Sequence, residues 1–432
     1  MGVTHQSRGS DLLAASQRFV RRPGFLSRIL APGFHKLLDK LDAGMERGAV
    51  LGRLPDGSTR LIGGRAPGFE AEITIHNWRT LLRVATGGSV GLYQAWEAGE
   101  WSSPDPVPFF AVFMQNAETL GDAARAKGGW RRALASAHRR QRNTRAGAAK
   151  NIAAHYDLGN DMFALFLDPT MMYSSGIFPA EDATMEEASI CKMDRICQKL
   201  QLCEDDHLVE IGTGWGSMAI HAAKHYGCQV TTTTISEQQY EWAERRIREE
   251  GLEKRITLLK KDYRALEGKF DKLVSIEMIE AVGWQYLDTY TATINRLLKD
   301  DGVALIQAIT IDDQRYEQAK NEVDFIKRYI FPGSFIPCIT AIQNSVTRTS
   351  DMKMTHMEDI TPHYARTLAE WRKEFLSKAE DIKSQGYSDD FIRLWDFYFA
   401  YCEGGFAERV IGDVQLMFSK PLNRRNPVLG ML

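Results

Sequence analysis

From about residue 150 onward, short apolar runs alternate with longer amphipathic runs along the chain. The short runs have the length of β-strands, and the longer runs have the 3.6-residue spacing of surface helices. The pattern predicts strands over 207–211, 229–235, 256–259, 272–276 and 303–309, and helices over 217–226, 237–250 and 286–298. Strands that alternate with helices form βαβ units. We therefore expect a doubly wound, parallel α/β sheet whose ligands lie beyond the carboxyl ends of the strands.

The N-terminal part of the chain has a different pattern, with short runs separated by turn residues. It predicts a helix within 25–45, a hairpin around the turn Pro55-Asp56-Gly57, a strand over 71–75, and helices over 80–85 and 92–97. We therefore divide the chain into a small α+β module over 1–122, a basic linker over 123–150 and a larger domain over 151–432. The end of this larger domain includes predicted helices over 314–330 and 361–378.

Charge changes this picture in one segment. The 432-residue chain has 54 Lys and Arg against 56 Asp and Glu, whereas a dedicated nucleic-acid-binding protein would be more basic. Residues 123–156, however, contain no Asp or Glu and nine Lys or Arg residues. Two interpretations stay open for this segment: a solvated linker, or a surface attracted to anionic lipid headgroups or nucleic acid.

The sequence has no apolar run long enough to form a membrane-spanning helix, and no apolar stretch of signal-peptide length near its start. Its six cysteines form no Cys-x-x-Cys pair, so they indicate neither a disulfide framework nor a metal site. We therefore expect a protein of a reducing, cytoplasmic compartment.

A glycine-rich turn over 212–216 follows the first predicted strand of the larger domain. Glycines allow the backbone to take positive φ and to approach a ligand closely. A dinucleotide-binding turn needs a further glycine where this chain has Ser217, and the strand over 229–235 ends without an acidic ribose ligand. With Glu210 just before it, the turn therefore fits S-adenosylmethionine better than NAD.

Reading outward from this turn, the chain resembles the cyclopropane-fatty-acyl-phospholipid synthase family of S-adenosylmethionine-dependent fatty-acid C-methyltransferases. The resemblance covers about residues 150–421 and rests on separate segments in the same order. These segments lie at 151–161, 172–176, 210–216, 234–239, 275–283, 328–333 and 398–405. It implies a class I methyltransferase-type (Rossmann-like) sheet, with residues 310–432 forming a helical cap over an acyl tunnel.

The resemblance also implies which residues form the site. Those that would line the S-adenosylmethionine site, including the turn itself, are Tyr173, Ser174, Glu210, Gly212, Gly214, Gly216, Thr234, Ile235, Gln239 and Tyr263. The family holds bicarbonate as a proton acceptor, and its pocket would correspond to Glu280, Tyr364, Ser175, Gln307 and Ile309. Three positions depart from the family pattern: Ser175 replaces Cys, Gln307 replaces His, and Ala281 replaces His after Glu280.

The implied reaction transfers the methyl of S-adenosylmethionine to the double bond of an unsaturated phospholipid acyl chain and gives a cyclopropane fatty acid. Methyl transfer leaves a carbocation, which aromatic faces can stabilise. Candidates for this role are Tyr173, Tyr263, Tyr329, Phe331 and Tyr364. Three alternatives stay open: a methyl- or methylene-branched product, methylation of a small soluble acceptor at N or O, and a catalytically silent lipid-binding protein.

The implied partners follow from the substrate. A phospholipid acyl chain is reached from a bilayer surface, so we expect peripheral contact with an anionic membrane at its inner face, with the basic segment as the attachment. The N-terminal module would serve lipid docking or the formation of a homodimer. We expect no nucleic-acid partner.

Overall fold

The computed structural model describes residues 31–121 and 159–425. These residues form two compact units, each assembled from segments that are distant in sequence. The first unit contains 31–121, 321–332 and 371–410, and the second contains 159–320, 333–370 and 411–425. The predicted basic linker over 123–150 lies outside the described residues. The boundaries that we drew from the sequence stay a prediction.

The first unit contains a small sheet and helices that cover it. Its strands are β1 (Ala49–Arg53), β2 (Thr59–Gly63), β3 (Glu70–Ile75) and β4 (Trp101–Ser102). Strands β1 and β2 form the predicted hairpin, and β3 pairs with β1 in parallel. Its helices lie at Ala31–Gly44, Arg79–Glu97, Pro106–Gln115, Ala117–Leu120, Ala379–Ser384 and Asp389–Ala407. Aromatic side chains, Phe397 among them, form much of its core: Phe397 contacts Tyr93, Trp96 and Phe325.

The second unit contains the predicted parallel sheet with two antiparallel additions. Its strands are β5 (His207–Ile211), β6 (Gln229–Thr234), β7 (Ile256–Lys260), β8 (Phe270–Ile276), β9 (Leu298–Ile311), β10 (Lys353–Asp359) and β11 (Ile411–Ser419). Within the described residues the order is β10-β11-β9-β8-β5-β6-β7, with β5 to β9 parallel and β10 and β11 antiparallel. The α/β fold class is therefore confirmed.

The direction of winding reverses between β5 and β8. From β5 the chain moves outward to β6 and β7, and it then returns to place β8 on the other side of β5. The carboxyl ends of two strands that diverge in this way leave a crevice, which is where open α/β sheets bind ligands. The turn after β5 and the segment after β8 flank this crevice.

Helices cover the second unit's sheet, and the sequence explains where several begin. They lie at Asn160–Phe166, Met185–Leu200, Ser217–Tyr226, Glu237–Glu249, Leu287–Leu297, Asp313–Ala319, Ile339–Thr349 and Thr361–Ser377, the last of which continues into the first unit. Thr184 and Glu187 form a reciprocal capping box before Met185–Leu200, and Ser236 caps Glu237–Glu249 through the amide of Gln239. Apolar side chains of β5, β8 and β9 form its core.

Two helix predictions need correction. The predicted helix over 314–330 is wrong: Asp313–Ala319 is a separate helix, and a π-helical turn covers Ile326–Ile330. Asp324 accepts the amide of Lys327 at 2.9 Å, so its side chain begins a new helical turn where continuous periodicity suggested none. Conversely, the runs predicted over 80–85 and 92–97 belong to one element, Arg79–Glu97, which bends at Gly88 with φ of 57°.

No helix among the described residues is long and apolar enough to cross a membrane. The six cysteines are all free. No cluster of side chains suited to hold a metal ion occurs in the part of the chain that the structure describes.

Candidate functional site

The glycine-rich turn joins β5 to the helix Ser217–Tyr226. Gly212, Gly214 and Gly216 have φ of 96°, 52° and 91°, a region that other residues rarely adopt. A Cβ at Gly216 would approach the Cβ of Ala243 to 3.2 Å, whereas a Cβ at Gly214 would meet no atom of the described residues within 4 Å. Gly216 therefore serves close packing against a helix, and Gly214 borders open space.

Two side chains that the sequence analysis did not single out hold this turn in place. Asn160 accepts the indole N–H of Trp215 at 2.7 Å and donates to the carbonyl of Gln238 at 3.0 Å. Arg246 donates to the carbonyls of Trp215 at 3.1 Å and Thr170 at 2.9 Å. The turn therefore donates to the amide oxygen of Asn160 and accepts from the guanidinium of Arg246.

The next two strands bring three more predicted residues to the same edge of the sheet. Thr234, at the end of β6, donates to Oε1 of Gln239 at 3.0 Å, and Ile235 between them is partly exposed. Tyr263 begins a short 3-10 helix after β7, and its ring contacts Tyr290 edge-on at 5.8 Å. Burial raises the pKa of Tyr263 to about 12, so its hydroxyl stays neutral.

The remaining predicted cofactor residues have different surroundings. The ring of Tyr173 contacts Phe163 at 5.2 Å between centroids, and Ser174 is buried and accepts the ammonium of Lys192 at 2.5 Å. Glu210 is buried beneath the turn, where it accepts the hydroxyl of Thr232 at 2.6 Å. Burial raises the pKa of Glu210 to about 7. Glu210 therefore supports the turn from below.

A carboxylate that the sequence analysis did not select lies where β8 ends. Glu277 has φ of 46°, in the left-handed region. Its Oε1 accepts the amide N–H of Ser175 at 2.9 Å and Nε2 of Gln307 at 2.8 Å. Its Oε2 accepts the hydroxyl of Tyr364 at 2.6 Å. Three of the five residues predicted for the anion pocket thus converge on Glu277.

The other two predicted pocket residues meet each other. Oε1 of Glu280, in the 3-10 turn after β8, accepts the backbone N–H of Ile309 at 2.5 Å. Its Oε2 is buried and has no hydrogen-bond partner among the described residues. Burial, reinforced by the charge of Glu277, raises the pKa of Glu280 to about 8. Glu280 is therefore a neutral acid near pH 7.

A third carboxyl group completes the cluster from β11. Asp413 is fully buried and accepts Nε2 of Gln307 at 2.9 Å. The carbonyl oxygen of the Gln307 amide accepts Nε2 of Gln415 at 3.1 Å, and this contact turns the NH₂ group of Gln307 toward the two carboxyl groups. Burial and the charges of Glu277 and Glu280 raise the pKa of Asp413 well above its usual value.

One buried cation balances the cluster. Lys192 is fully buried, and the charges of Glu277, Asp413 and Asp168 favour its protonated form. Burial acts in the opposite direction and outweighs these charges, so the pKa of Lys192 is lowered to about 8. Lys192 is thus largely charged at neutral pH. Lys192 therefore supplies a positive charge beside the carboxyl groups of Glu277, Asp413 and Asp168.

The cluster lies beside the glycine-rich turn. A Cβ at Gly212 would meet Cγ of Met278 at 3.2 Å, and Met278 directly follows Glu277. Ser275 of β8 also donates to the carbonyl of Ile211 at 3.2 Å. The predicted cofactor turn and the carboxyl groups therefore occupy adjoining strand ends.

Part of this cluster had a signal in the sequence. Glu277 is the first residue after β8, and Glu280 lies three residues further along the chain. The position of Glu277 at the end of a strand could therefore have identified it as a site residue. Asp413 and Lys192 had no such signal, because neither follows the carboxyl end of a parallel strand: Asp413 lies within antiparallel β11, and Lys192 lies within the helix Met185–Leu200. The roles assigned to the predicted site residues stay predictions. Tyr329 and Phe331 belong to the first unit.

Comparison with known proteins adds an independent observation. Residues 143–416 match the family model of mycolic acid cyclopropane synthetase. The chain is 34% identical over 333 residues to tuberculostearic acid methyltransferase UfaA1 from Mycobacterium tuberculosis, covering 75% of this chain and 77% of that one. It is also 34% identical over 359 residues to cyclopropane-fatty-acyl-phospholipid synthase from Escherichia coli, covering 83% of this chain and 90% of that one.

Solved structures agree with this result. The cyclopropane synthase MmaA2 from Mycobacterium tuberculosis has 29% identity and a TM-score of 0.59, over 63% of this chain and 98% of that chain. The mycolic acid cyclopropane synthase CmaA1, solved with SAH and CTAB, has 28% identity and the same TM-score and coverage. The region matched by the family model, residues 143–416, contains the whole glycine-rich turn and the carboxylate cluster.

Proposed function

Because the chain belongs to the mycolic acid cyclopropane synthetase family, we propose that it transfers the methyl group of S-adenosylmethionine to the double bond of an unsaturated phospholipid acyl chain and forms a cyclopropane fatty acid. One observation carries this proposal: the positive-φ turn after β5 adjoins the carboxyl cluster after β8. A methyl donor and a proton-accepting group would then lie side by side in the crevice of the sheet.

The turn and its neighbours fit the methyl donor. The space beside Gly214 is open, and the ends of β5, β6 and β7 present partly exposed Gly212, Ile235 and Tyr263 toward one edge of the sheet. When bound, S-adenosylmethionine supplies an electrophilic methyl group on a sulfonium. The residues that would hold it are Tyr173, Ser174, Glu210, Gly212, Gly214, Gly216, Thr234, Ile235, Gln239 and Tyr263.

The side chains of the protein position the alkene and remove the proton. An alkene is a weak nucleophile, so the protein must align the double bond and exclude water. Loss of a proton then completes the product. Glu280, Tyr364, Ser175, Gln307 and Ile309 form the pocket in which this proton is removed. Glu280 fixes the backbone at Ile309 while it is itself a neutral acid.

A methyl- or methylene-branched product is the second candidate. The tuberculostearic acid methyltransferase is as similar to the chain, at 34% identity, as the cyclopropane-forming enzyme from Escherichia coli. The products differ in the fate of the cation: direct loss of a proton from the new methyl group closes the ring, and loss from an adjacent chain carbon gives a methyl branch beside a chain double bond. A hydride shift to the cationic carbon followed by loss of a methyl proton gives a methylene branch. Which product forms would depend on the positions where the chain departs from the family pattern, namely Ser175, Gln307 and Ala281.

The substrate also implies a location at the cytoplasmic face of a membrane. The basic segment 123–156 would contribute about 1 kcal/mol per basic residue near an anionic surface. Co-sedimentation with anionic vesicles, compared with zwitterionic ones, tests this attachment. Charge-neutral substitutions at Arg131, Arg132 and Arg139 should weaken it. Sedimentation velocity of the full chain tests a homodimer formed through the N-terminal module.

The experiment that tests the function is mass spectrometry of phospholipid acyl chains after expression in a bacterial host that lacks its own synthase. We expect unsaturated chains to gain the mass of one CH₂ group, and fragmentation to distinguish a ring from a branch with a retained double bond. An empty vector is the control. An unchanged acyl profile in cells that contain folded protein would contradict the proposal.

A further inference from the structure

The pocket in which the family resemblance implies bicarbonate already contains an anion of this chain. The donors that would bind bicarbonate are those that contact Glu277: the amide of Ser175 and Nε2 of Gln307 on one oxygen, and the hydroxyl of Tyr364 on the other. A carboxylate and a bicarbonate present the same planar pair of acceptor oxygens. The donor set is therefore matched to one such group, and Glu277 occupies it.

We propose that the carboxylate of Glu277 replaces bicarbonate in this protein and is the base that takes the proton released during methyl transfer. This inference rests on the proposed function for its chemistry. The occupancy of the pocket, however, is a property of the protein alone and can be tested without the reaction.

A second anion does not fit beside Glu277. The donors from Ser175, Gln307 and Tyr364 are engaged, and Gln307 is shared with Asp413. A bicarbonate would have to enter next to the Glu277 charge in a pocket whose walls are buried, where like charges repel strongly because the local dielectric is low. The residues of this pocket therefore do not fit a bound bicarbonate, and the proposed proton transfer does not require that ion.

The backbone holds Glu277 in an unusual conformation that directs it into this pocket. With φ of 46°, Glu277 has a backbone conformation that is unfavourable for any residue other than glycine. The N–H of Glu277 donates to the carbonyl of Gln307 at 2.9 Å, and this bond retains the conformation where β8 ends. Strain of this kind accumulates at functional sites, since the surrounding structure must enforce it.

Hydrogen bonding distinguishes Glu277 from the other two carboxyl groups of the cluster. Glu277 accepts two N–H donors on one oxygen and a hydroxyl on the other. Glu280 accepts the backbone N–H of Ile309, Asp413 accepts the side-chain amide of Gln307, and burial raises the pKa of both carboxyl groups. Lys192 supplies the balancing positive charge. Glu277 is therefore the carboxyl group that donors from three separate segments hold in the position expected of the proton acceptor.

The proton transfer balances without another reagent. The π electrons of the alkene form a C–C bond to the methyl carbon while the C–S electron pair stays on sulfur, and the other alkene carbon becomes cationic. A C–H bond of the new methyl group then breaks, and its electron pair closes the three-membered ring. The proton goes to an oxygen of Glu277 and later to solvent.

The test compares the full-length protein with Glu277→Gln, Glu277→Gly and the control Glu253→Gln, whose side chain is exposed. Glycine suits the positive φ at position 277, so the Gly variant vacates the pocket without strain. Activity is measured on vesicles of dioleoyl phosphatidylglycerol with S-adenosylmethionine, in buffer freed of carbon dioxide and again with added bicarbonate. The thermal unfolding midpoint with and without bicarbonate is measured in the absence of both substrates.

We expect wild-type activity and its unfolding midpoint to be unaffected by bicarbonate. Glu277→Gln should lose activity by roughly 100-fold or more, within the range for loss of a general base. Glu277→Gly should lose as much but regain activity, and gain thermal stability, when bicarbonate is added. Binding of S-adenosylmethionine by calorimetry should be unchanged in both variants.

Two results would overturn the inference: wild-type activity or stability that rises with bicarbonate, or full activity in Glu277→Gln. A wild-type protein that forms no lipid product under any condition would instead contradict the proposed function. The unfolding measurements would still decide whether Glu277 occupies the anion position, because they need no reaction.

Discussion

The hydroxyl of Tyr364 donates a 2.6 Å hydrogen bond to Oε2 of Glu277, joining residues 87 positions apart in the sequence. Tyr364 lies in the first turns of the helix Thr361–Ser377 and is buried, so its hydroxyl meets this carboxylate away from bulk water. A charge-assisted hydrogen bond of this kind stabilises the ionised carboxylate.

Tyr364→Phe should lower kcat by roughly 10- to 150-fold, because a hydrogen bond to a charged group contributes about 1.5–3 kcal/mol. The affinity for S-adenosylmethionine should stay the same, since the hydroxyl contacts the carboxylate. Steady-state kinetics and calorimetry measure the two quantities. Tyr240→Phe is the control, because the hydroxyl of Tyr240 makes a 3.5 Å contact with exposed Glu244. Equal loss of turnover and cofactor affinity would assign Tyr364 a structural role.

Gly214→Ala should weaken S-adenosylmethionine binding by more than tenfold, because its methyl group would project into the open space beside the turn. The positive φ also adds a stability cost of roughly 1 kcal/mol. Gly251→Ala is a matched control, with φ of 66° and no described atom within 4 Å of the added Cβ. Calorimetry should show weak binding for the first variant and normal binding for the second. Similar binding by both would contradict the assignment of the turn.

Lys192→Met should move the acidic limb of the pH–rate profile to higher pH. Removing the positive charge makes the nearby carboxyl groups easier to protonate, so the base is lost at a higher pH. Lys272→Met is the control: Lys272 is also buried, its pKa is also lowered to about 8 by burial, and its ammonium donates to the carbonyl of Leu200 at 2.6 Å. An unchanged acidic limb in Lys192→Met would show that this lysine does not act on the cluster.

The raised pKa of Glu280 predicts how the free energy of unfolding depends on pH. Its folded-state pKa is raised from 4.5 to about 8, so the folded protein retains a proton that the unfolded chain has released. The stability from this neutral form is present below about pH 4.5 and is lost as the pH rises through about 8. Wild-type protein should therefore lose stability relative to Glu280→Gln across this range.

Urea unfolding of both proteins at several pH values measures this difference. Both proteins contain the same histidines, such as His207 and His363, whose lowered pKa values make stability rise with pH below about pH 6.5. Their contribution cancels when the two unfolding free energies are subtracted. A difference in unfolding free energy that is independent of pH would show that Glu280 is ionised in the folded protein.

Much of the fold followed from local pattern. The strands over 207–211 and the helix over 217–226 have the predicted bounds, because strand and helix periodicities, and the glycines at 216 and 227, are properties of the immediate sequence. The failure over 314–330 is local as well: the side chain of Asp324 interrupts a helix that apolar spacing alone continues.

The sequence determined less of the candidate site than of the fold. The sequence by itself determined that a glycine-rich turn follows β5 and that carboxylates follow β8, and the order of its segments identified the family. Only the tertiary structure distinguished Glu277 from Glu280. Both follow the same strand, but Ser175, Gln307 and Tyr364 reach Glu277 from distant segments, while Glu280 is left buried with one donor. The charge of a carboxyl group depends on its partners and its burial, and these exist only once remote parts of the chain have packed together.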